Sequence, residues 1–244
     1  MSYDPTSSIL NRPVKTNCPV RSKSGIAVFG YCNGLVCISS SGTKVLFLWN
    51  PATQEYKKLP IPELRFPRQH ICQIDYVFGH DDKSDDFKVV FVASYRHIAR
   101  IEVHIFTLRS DSWRYIGEFP YDVSKDSRMS DIARVPVNGA LHWIAVIDCD
   151  DIDCEAIIYF DFEKETFESM PLPKIPNPLA DDTFVYAKFV RRLCVLGGSL
   201  CLMCSNPEAS IDVWHWTAKQ EILGLNFSLS TNKSFLDVFQ TGCP

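Results

Sequence analysis

Cysteine, histidine and aspartate are the residue types in this chain whose grouping could do chemistry. Ten cysteines stand at positions 18, 32, 37, 72, 149, 154, 194, 201, 204 and 243, and Cys201-x-x-Cys204 is the one pair at metal-ligand spacing. A structural zinc site needs four ligands, and neither a second CxxC nor a histidine pair accompanies this one. The pair lies in SLCLMC, an apolar, strand-like run, so both thiols read as core residues. No secretory signal opens the chain, so the compartment is expected to be reducing, cytoplasmic or nuclear, and the cysteines free and largely buried. The six histidines, at 70, 80, 97, 104, 142 and 215, are scattered without paired spacing, and His142, inside LHW, reads as a core or rim residue. Two acidic stretches hold Asp81, Asp82, Asp85 and Asp86, and Asp148, Asp150, Asp151 and Asp153. The second lacks the glycine and distal glutamate of a calcium loop. Both read as solvated hairpin tips, with Asp82 and Ser84 making the first turn. No G-x-S-x-G elbow, H-E-x-x-H or P-loop occurs. No catalytic, cofactor-binding or metal-binding residue is therefore assigned, and no cofactor is expected.

The elements that would position any site announce themselves through aromatics. Trp49 is followed seven residues later by Tyr56 and then by Leu59-Pro60; Phe106 by Trp113 and Phe119-Pro120; Phe160 by Phe167 and Met170-Pro171. Positions seven apart are symmetric about a four-residue loop and face each other across a hairpin, where an aromatic pair contributes roughly 0.2–1 kcal/mol over alanine. Asn50-Pro51 suits the start of a type I turn, and Thr107 and Asp161 hold the place of Asn50 in the next two units. The proline after each second aromatic ends its strand, having no N–H for a ladder. The first aromatics are 57 and 54 residues apart, and a further 54 leads to Trp214. That period predicts blade-like repeats, and Trp49 is expected in the core.

Hydrophobic residues make up 46% of the 244 and charged residues 22%, enough to bury a sizeable core. A net charge of −4 has the wrong sign for nucleic-acid binding, and no apolar run is long enough to cross a membrane as a helix. Along the chain, Ile26 to Ser40 reads as two strands about an Asn33-Gly34 turn, followed by Val45 to Trp49 and Glu55 to Leu59. Ile71 to Phe78 and Phe87 to Ala93 flank a polar turn, Gly79 to Asp86; Ile101 to Leu108 and Trp113 to Ile116 form the next hairpin. VNGALHWIAV and AIIYFDFEKETFESMPLP form the third unit, and RLCVLGGSLCLMC to IDVWHW the fourth.

These residues resemble a known family. CNGLVCIS with LFLWNPATQEYKKLPIP, then FGHDDKSDDFKVVFVAS, EVHIFTLRSDSWR, VNGALHW, FDFEKETFESMPLP and LGGSLCLMC with IDVW, in that order and spacing, resemble the F-box-associated domain of plant F-box proteins. The type 1 associated domain and the S-locus F-box proteins are both similar. The resemblance covers about residues 28 to 214. It implies an all-β, kelch-like β-propeller of about four recognisable blades. It also implies a non-catalytic substrate-recognition domain of an SCF-type ubiquitin ligase that binds a target protein. A Skp-type adaptor and cullin would be reached only through an F-box, and residues 1–28 lack that module's Leu-Pro start and Cys-Lys-x-Trp end. The expected boundaries are a loop lead-in over 1–28, the propeller over 29–218 and a divergent tail over 219–244. After Trp216 the repeat is expected to fail, leaving the ring incomplete: Glu221 stands where an aromatic would recur. The alternative function is a stand-alone propeller enzyme or carbohydrate-binding module.

Recognition by such a scaffold belongs to its inter-strand loops. The candidates are Arg65 to His70, Tyr95 to Arg100, Tyr121 to Arg128 and Asp148 to Asp153, the first two cationic and the last acidic. No individual substrate-binding residue is assigned.

Overall fold

The structure, a computed structural model, describes residues 17–20, 25–40, 45–95, 100–120, 134–149, 152–173, 190–205, 210–216 and 222–228. Sixteen strands form four antiparallel four-stranded sheets, each a simple meander in chain order. The first holds β1 (Ile26–Cys32), β2 (Leu35–Ser40), β3 (Leu46–Trp49) and β4 (Tyr56–Lys58). The second holds β5 (Ile71–Asp81), β6 (Asp86–Tyr95), β7 (Arg100–Thr107) and β8 (Ser112–Glu118). The third holds β9 (Val135–Val137), β10 (Ala140–Cys149), β11 (Ile152–Asp161) and β12 (Thr166–Pro171). The fourth holds β13 (Val190–Leu196), β14 (Ser199–Ser205), β15 (Ser210–Trp216) and β16 (Ile222–Ser228). The sheets are the blades of a β-propeller, as the repeat period predicts. Among the described residues no helix is long and apolar enough to cross a membrane.

Blade packing explains why β6 reads as an unbroken apolar run. Val89, Phe91 and Ala93 join Cys37, Leu46, Leu48 and Leu59 in a core between blades 1 and 2. Val90 and Val92, on the other side of the same strand, join Leu141, Trp143, Ile158 and Phe160 between blades 2 and 3. Ile157, between two residues of that second core, turns to Leu193, Leu200, Leu202 and Trp216 of blade 4. A strand covered on both faces has no side left to be polar.

Two kinds of turn repeat. The inner hairpins of blades 1, 3 and 4 close on Asn33-Gly34, Asn138-Gly139 and Gly197-Gly198, with φ of 44° and 81°, 51° and 72°, and 57° and 79°. Two left-handed residues in succession make the type I′ turn whose twist matches the strands. The outer hairpins use four-residue loops, closed by Gln54 N to Asn50 O at 2.8 Å, Asp111 N to Thr107 O at 3.0 Å and Glu165 N to Asp161 O at 2.8 Å. Asn50 Oδ1 accepts from the Ala52 and Thr53 N–H groups at 2.9 and 3.2 Å, and Asp161 Oδ1 from those of Glu163 and Lys164 at 3.0 and 2.9 Å.

Those loops set the expected register: Trp49 opposes Tyr56, Phe106 opposes Trp113 and Phe160 opposes Phe167. The ring centroids are 5.4 Å apart in the second pair and 4.8 Å in the third. Trp49, expected in the core, is only half-buried, and Tyr56 leans instead on Phe47 at 6.0 Å. Beyond Trp216, where sequence spacing predicts that the repeat fails, β16 completes blade 4. It faces Trp214 with Gly224 rather than an aromatic, so no side-chain spacing announces it.

The polar turn expected over Gly79 to Asp86 is longer-range than a turn. β5 and β6 run on to Asp81 and Asp86, leaving four loop residues with Asp85 left-handed at φ 50°. Asp81, not Asp82, makes the turn, its Oδ1 accepting from the Lys83 N–H at 3.0 Å. Asp81 and Asp86 are also buried rather than solvated. Asp81 Oδ2 accepts from Ser84 Oγ and from Lys88 Nζ, both at 2.7 Å. Lys88, 4% exposed, reaches Phe162 O and Glu165 Oε1 of blade 3 at 2.8 Å each. Asp86 accepts from the Arg109 N–H at 3.1 Å. A Cβ on Gly79 would sit 2.3 Å from the Phe162 ring, so that position must stay bare for the blades to meet. FGHDDKSDDFK is thus a latch between blades 2 and 3. Outside it, Lys57 bonds Asp111 at 2.8 Å and Arg114 pairs with Glu165. Each base follows the second aromatic of its hairpin, and each acid is the left-handed loop residue of the next blade.

Three outcomes follow from this packing. Phe160→Ala, which empties a site that is 0% exposed, lowers stability by about 3–5 kcal/mol in urea unfolding. Tyr56→Ala, on a residue 60% exposed, costs less than ~1 kcal/mol in the same assay. Burial alone would raise the Asp81 carboxyl, but the hydrogen bonds from Lys88, Ser84 and the Lys83 N–H and the Lys88 charge outweigh it and hold it at about 2. A carboxyl depressed by folding stabilises the protein above its unfolded value near 3.8 and loses that contribution as pH falls towards 2. Stability measured from pH 5 to 2 therefore declines less steeply in Asp81→Asn than in the wild type.

Candidate interaction face

Meander topology sorts the connections onto two faces. β1 and β5 run side by side in the same direction, Phe29 meeting Tyr76 at 4.8 Å and Gly30 lying against Phe78. Odd-numbered connections (β1 to β2, β3 to β4 and so on) emerge on one side, and even-numbered ones on the other. The odd side carries the short, internally hydrogen-bonded turns. The even side carries the long connections: 59–70 between blades 1 and 2, 119–134 between blades 2 and 3, and 172–189 between blades 3 and 4. Of the four loop segments expected from sequence, Arg65 to His70 is described in full and lies on the even side. Tyr121 to Arg128 and residues 96–99 lie outside the described residues. Asp148 and Asp153 stand opposite each other in the β10–β11 register, and residues 150–151 lie outside the described residues.

The 59–70 connection is described in full and is pinned to blade 2. Leu59 N donates to Leu46 O at 2.9 Å. Trp113 Nε1 donates to Pro60 O at 2.7 Å, the Arg65 N–H to Glu102 Oε2 at 3.2 Å, and Arg68 Nη2 to Pro62 O at 2.7 Å. The Phe66 ring meets Tyr95 edge-on at 5.2 Å, and the Arg65 guanidinium lies 4.7 Å over the Tyr115 ring. A single 3₁₀ turn, Arg68–His70, delivers the chain into β5. Sequence spacing had no means of finding Glu102. It is 1% exposed on β7, accepts from the Tyr95 hydroxyl as well as the linker, and sits beside His104. Burial, with that carboxylate, pushes the Tyr95 hydroxyl up. Burial also holds His104 below its ordinary value, outweighing the attraction of Glu102. The linker leaves an open groove of about 610 Å³ lined by Ile61, Pro62, Glu63, Leu64, Phe66, Pro67 and Arg68.

Other residues singled out for their chemistry do not converge. His142 is buried, stacked on Tyr159 at 5.0 Å and held below its usual value by burial. His80 bonds Asp82 and Asp85 of its own hairpin at 2.8 and 3.3 Å, and His97 lies outside the described residues. Cys201 and Cys204 are both free and 1% exposed. Three residues apart on one strand, they point to opposite faces of β14 and cannot share a metal. Burial pushes each thiol up to about 11. Among the described residues no three His, Cys, Asp or Glu are grouped to hold a metal ion.

Comparison with known proteins decides the family. The model of the F-box associated beta propeller domain matches residues 2–228. The chain belongs to that family. It is 31% identical over 189 residues to the F-box/kelch-repeat protein At3g23880 of Arabidopsis thaliana, covering 77% of this chain and 48% of the relative. It is 28% identical over 212 residues to F-box protein At4g22390 and over 217 residues to F-box protein CPR1 of the same plant, covering 80% of this chain and 50% of each relative. The chain therefore spans about half the length of these relatives. Within the family fold, the FGHDDKSDDFK motif is the blade 2 to blade 3 latch, and its polar residues are occupied structurally.

Because Trp113 anchors the linker through its indole N–H, Trp113→Phe should cost about 0.5–1.5 kcal/mol. Limited proteolysis of that variant should speed up selectively within residues 59–70.

Proposed function

We propose that this chain is the target-binding propeller of an F-box protein, a non-catalytic receptor that presents a protein substrate to an SCF-type ubiquitin ligase. The observation that carries this reading is the family match over residues 2–228 on a fold that gathers its long connections on one side. Rigid blades hold loops at fixed spacing, and such loops can diverge without disturbing the core. The F-box proteins it resembles supply the rest of the reading: a Skp-type adaptor and a cullin engaged through an F-box, with ubiquitin transferred on other subunits. The internally bonded turns of the odd side and the latch polar groups are already committed to the scaffold, which leaves the even side to meet a partner.

The reading is tested by affinity purification from plant cells of a longer protein that joins this chain to an F-box. Co-purification of a Skp-type adaptor, together with a ubiquitinated protein whose recovery is lost on exchanging residues 121–133 for a glycine-serine loop, is the expected result. The same recovery from the loop-exchanged protein would sink the proposed face. Turnover in a hydrolase panel or binding on a glycan array by the purified chain would sink the receptor reading itself.

A further inference from the structure

We propose that the linker groove between blades 1 and 2 binds an extended protein segment that sets a carboxylate beside an aliphatic or aromatic side chain. This inference rests on the receptor reading above and names the class of target segment it takes.

The groove has the composition of a side-chain recognition site. Its walls are apolar, with Ile61 50% exposed and Leu64 and Phe66 partly so. Pro60, Pro62 and Pro67 lack N–H donors, so the segment cannot act as an edge for β-strand addition and must be read through side chains. Two arginines supply the charge. Arg100, Arg114, Arg134 and Arg191 each pair with a carboxylate. Among the described residues Arg65 and Arg68 do not: Arg65 lies on the Tyr115 ring, and Arg68 donates one nitrogen to Pro62 O. A guanidinium carries five N–H donors in a planar fork. Both arginines therefore retain donors suited to a carboxylate, and stacking or a carbonyl bond holds each one in place. Arg68 lines the groove and Arg65 stands just outside its lining, on Tyr115. Glu63 is the single acid of residues 59–70, so charge along the linker favours an anion by two to one. The linker is pinned by its contacts with Trp113, Glu102 and Tyr95 before any ligand arrives, which lowers the ordering cost of binding.

A phage-displayed library of random linear peptides selected on the full chain tests the proposal. The enriched sequences should place Asp or Glu next to Leu, Ile, Phe or Tyr. An enriched peptide, labelled for fluorescence polarisation, should bind Arg65→Glu/Arg68→Glu about tenfold or more weakly, since a charge-assisted pair becomes a repulsion. Arg109→Glu, a charge reversal on the odd side, should bind as the wild type does. Arg65→Gln/Arg68→Gln, checked by circular dichroism for an unchanged fold, should also bind more weakly. No enrichment, enrichment without acidic residues, or equal affinity for the double variants overturns the proposal. If the peptides fail while the 121–133 exchange still abolishes target recovery, the groove falls and the receptor reading stands.

Discussion

Blades 2 and 3 of this protein are sheets with two apolar faces, and that constraint organises the rest. A sheet with one such face can rest on a single partner, whereas β6, with Val89 and Val90 both 0% exposed on opposite sides, needs a neighbour on each flank. Hydrophobic stacking of this kind has little sense of direction, since valine and leucine pack against many shapes. Direction comes from the few polar groups carried into the seams. Lys88 is the clearest: an ammonium in a dry seam is tolerable only where Asp81, Glu165 and the Phe162 carbonyl surround it. Those partners come from two blades, so the charge fixes their relative height and rotation. Gly79 beneath the Phe162 ring fixes how near they stand.

The same arithmetic divides the molecule into a committed side and an available one. Turns on the odd side spend their polar groups on their own backbones or on the neighbouring blade, as Asp111 and Glu165 do with Lys57 and Arg114. The even side holds the connections whose length the scaffold does not dictate. The 59–70 linker belongs to both descriptions. Its backbone is tied down by Trp113 and Glu102, while much of its apolar and guanidinium surface faces outward.

Much of this was legible in the order of residues, and the failures have physical causes. Aromatics seven apart gave the hairpin registers correctly because a four-residue loop leaves no other symmetric pairing. Trp49 shows the limit of that signal: spacing says which residues oppose each other, and not which side of the sheet a neighbouring blade covers. The aspartates of FGHDDKSDDFK looked like a wet turn because acidic residues in a row usually are. Asp82 and Asp85 are indeed solvated, but the burial of Asp81 depends on Lys88, and that of Lys88 on Glu165, whose place on the neighbouring blade, 77 positions after Lys88, no local reading can supply. β16 was missed because Gly224 carries no side chain to mark its pairing with Trp214. Glu102 was invisible for a similar reason, since its partners are a backbone N–H and a tyrosine brought in by folding.

The charge cluster at Lys88 also bears on how the molecule breathes. A blade held by apolar contact alone can part from its neighbour a little at a time, losing surface in proportion to the gap. Separating blade 2 from blade 3 takes Glu165 and the Phe162 carbonyl from Lys88, and Arg114 from Glu165, in one step, so the seam has no cheap half-open state. Amide hydrogens of β6 and of the β11–β12 turn are therefore expected to exchange in a single cooperative unit.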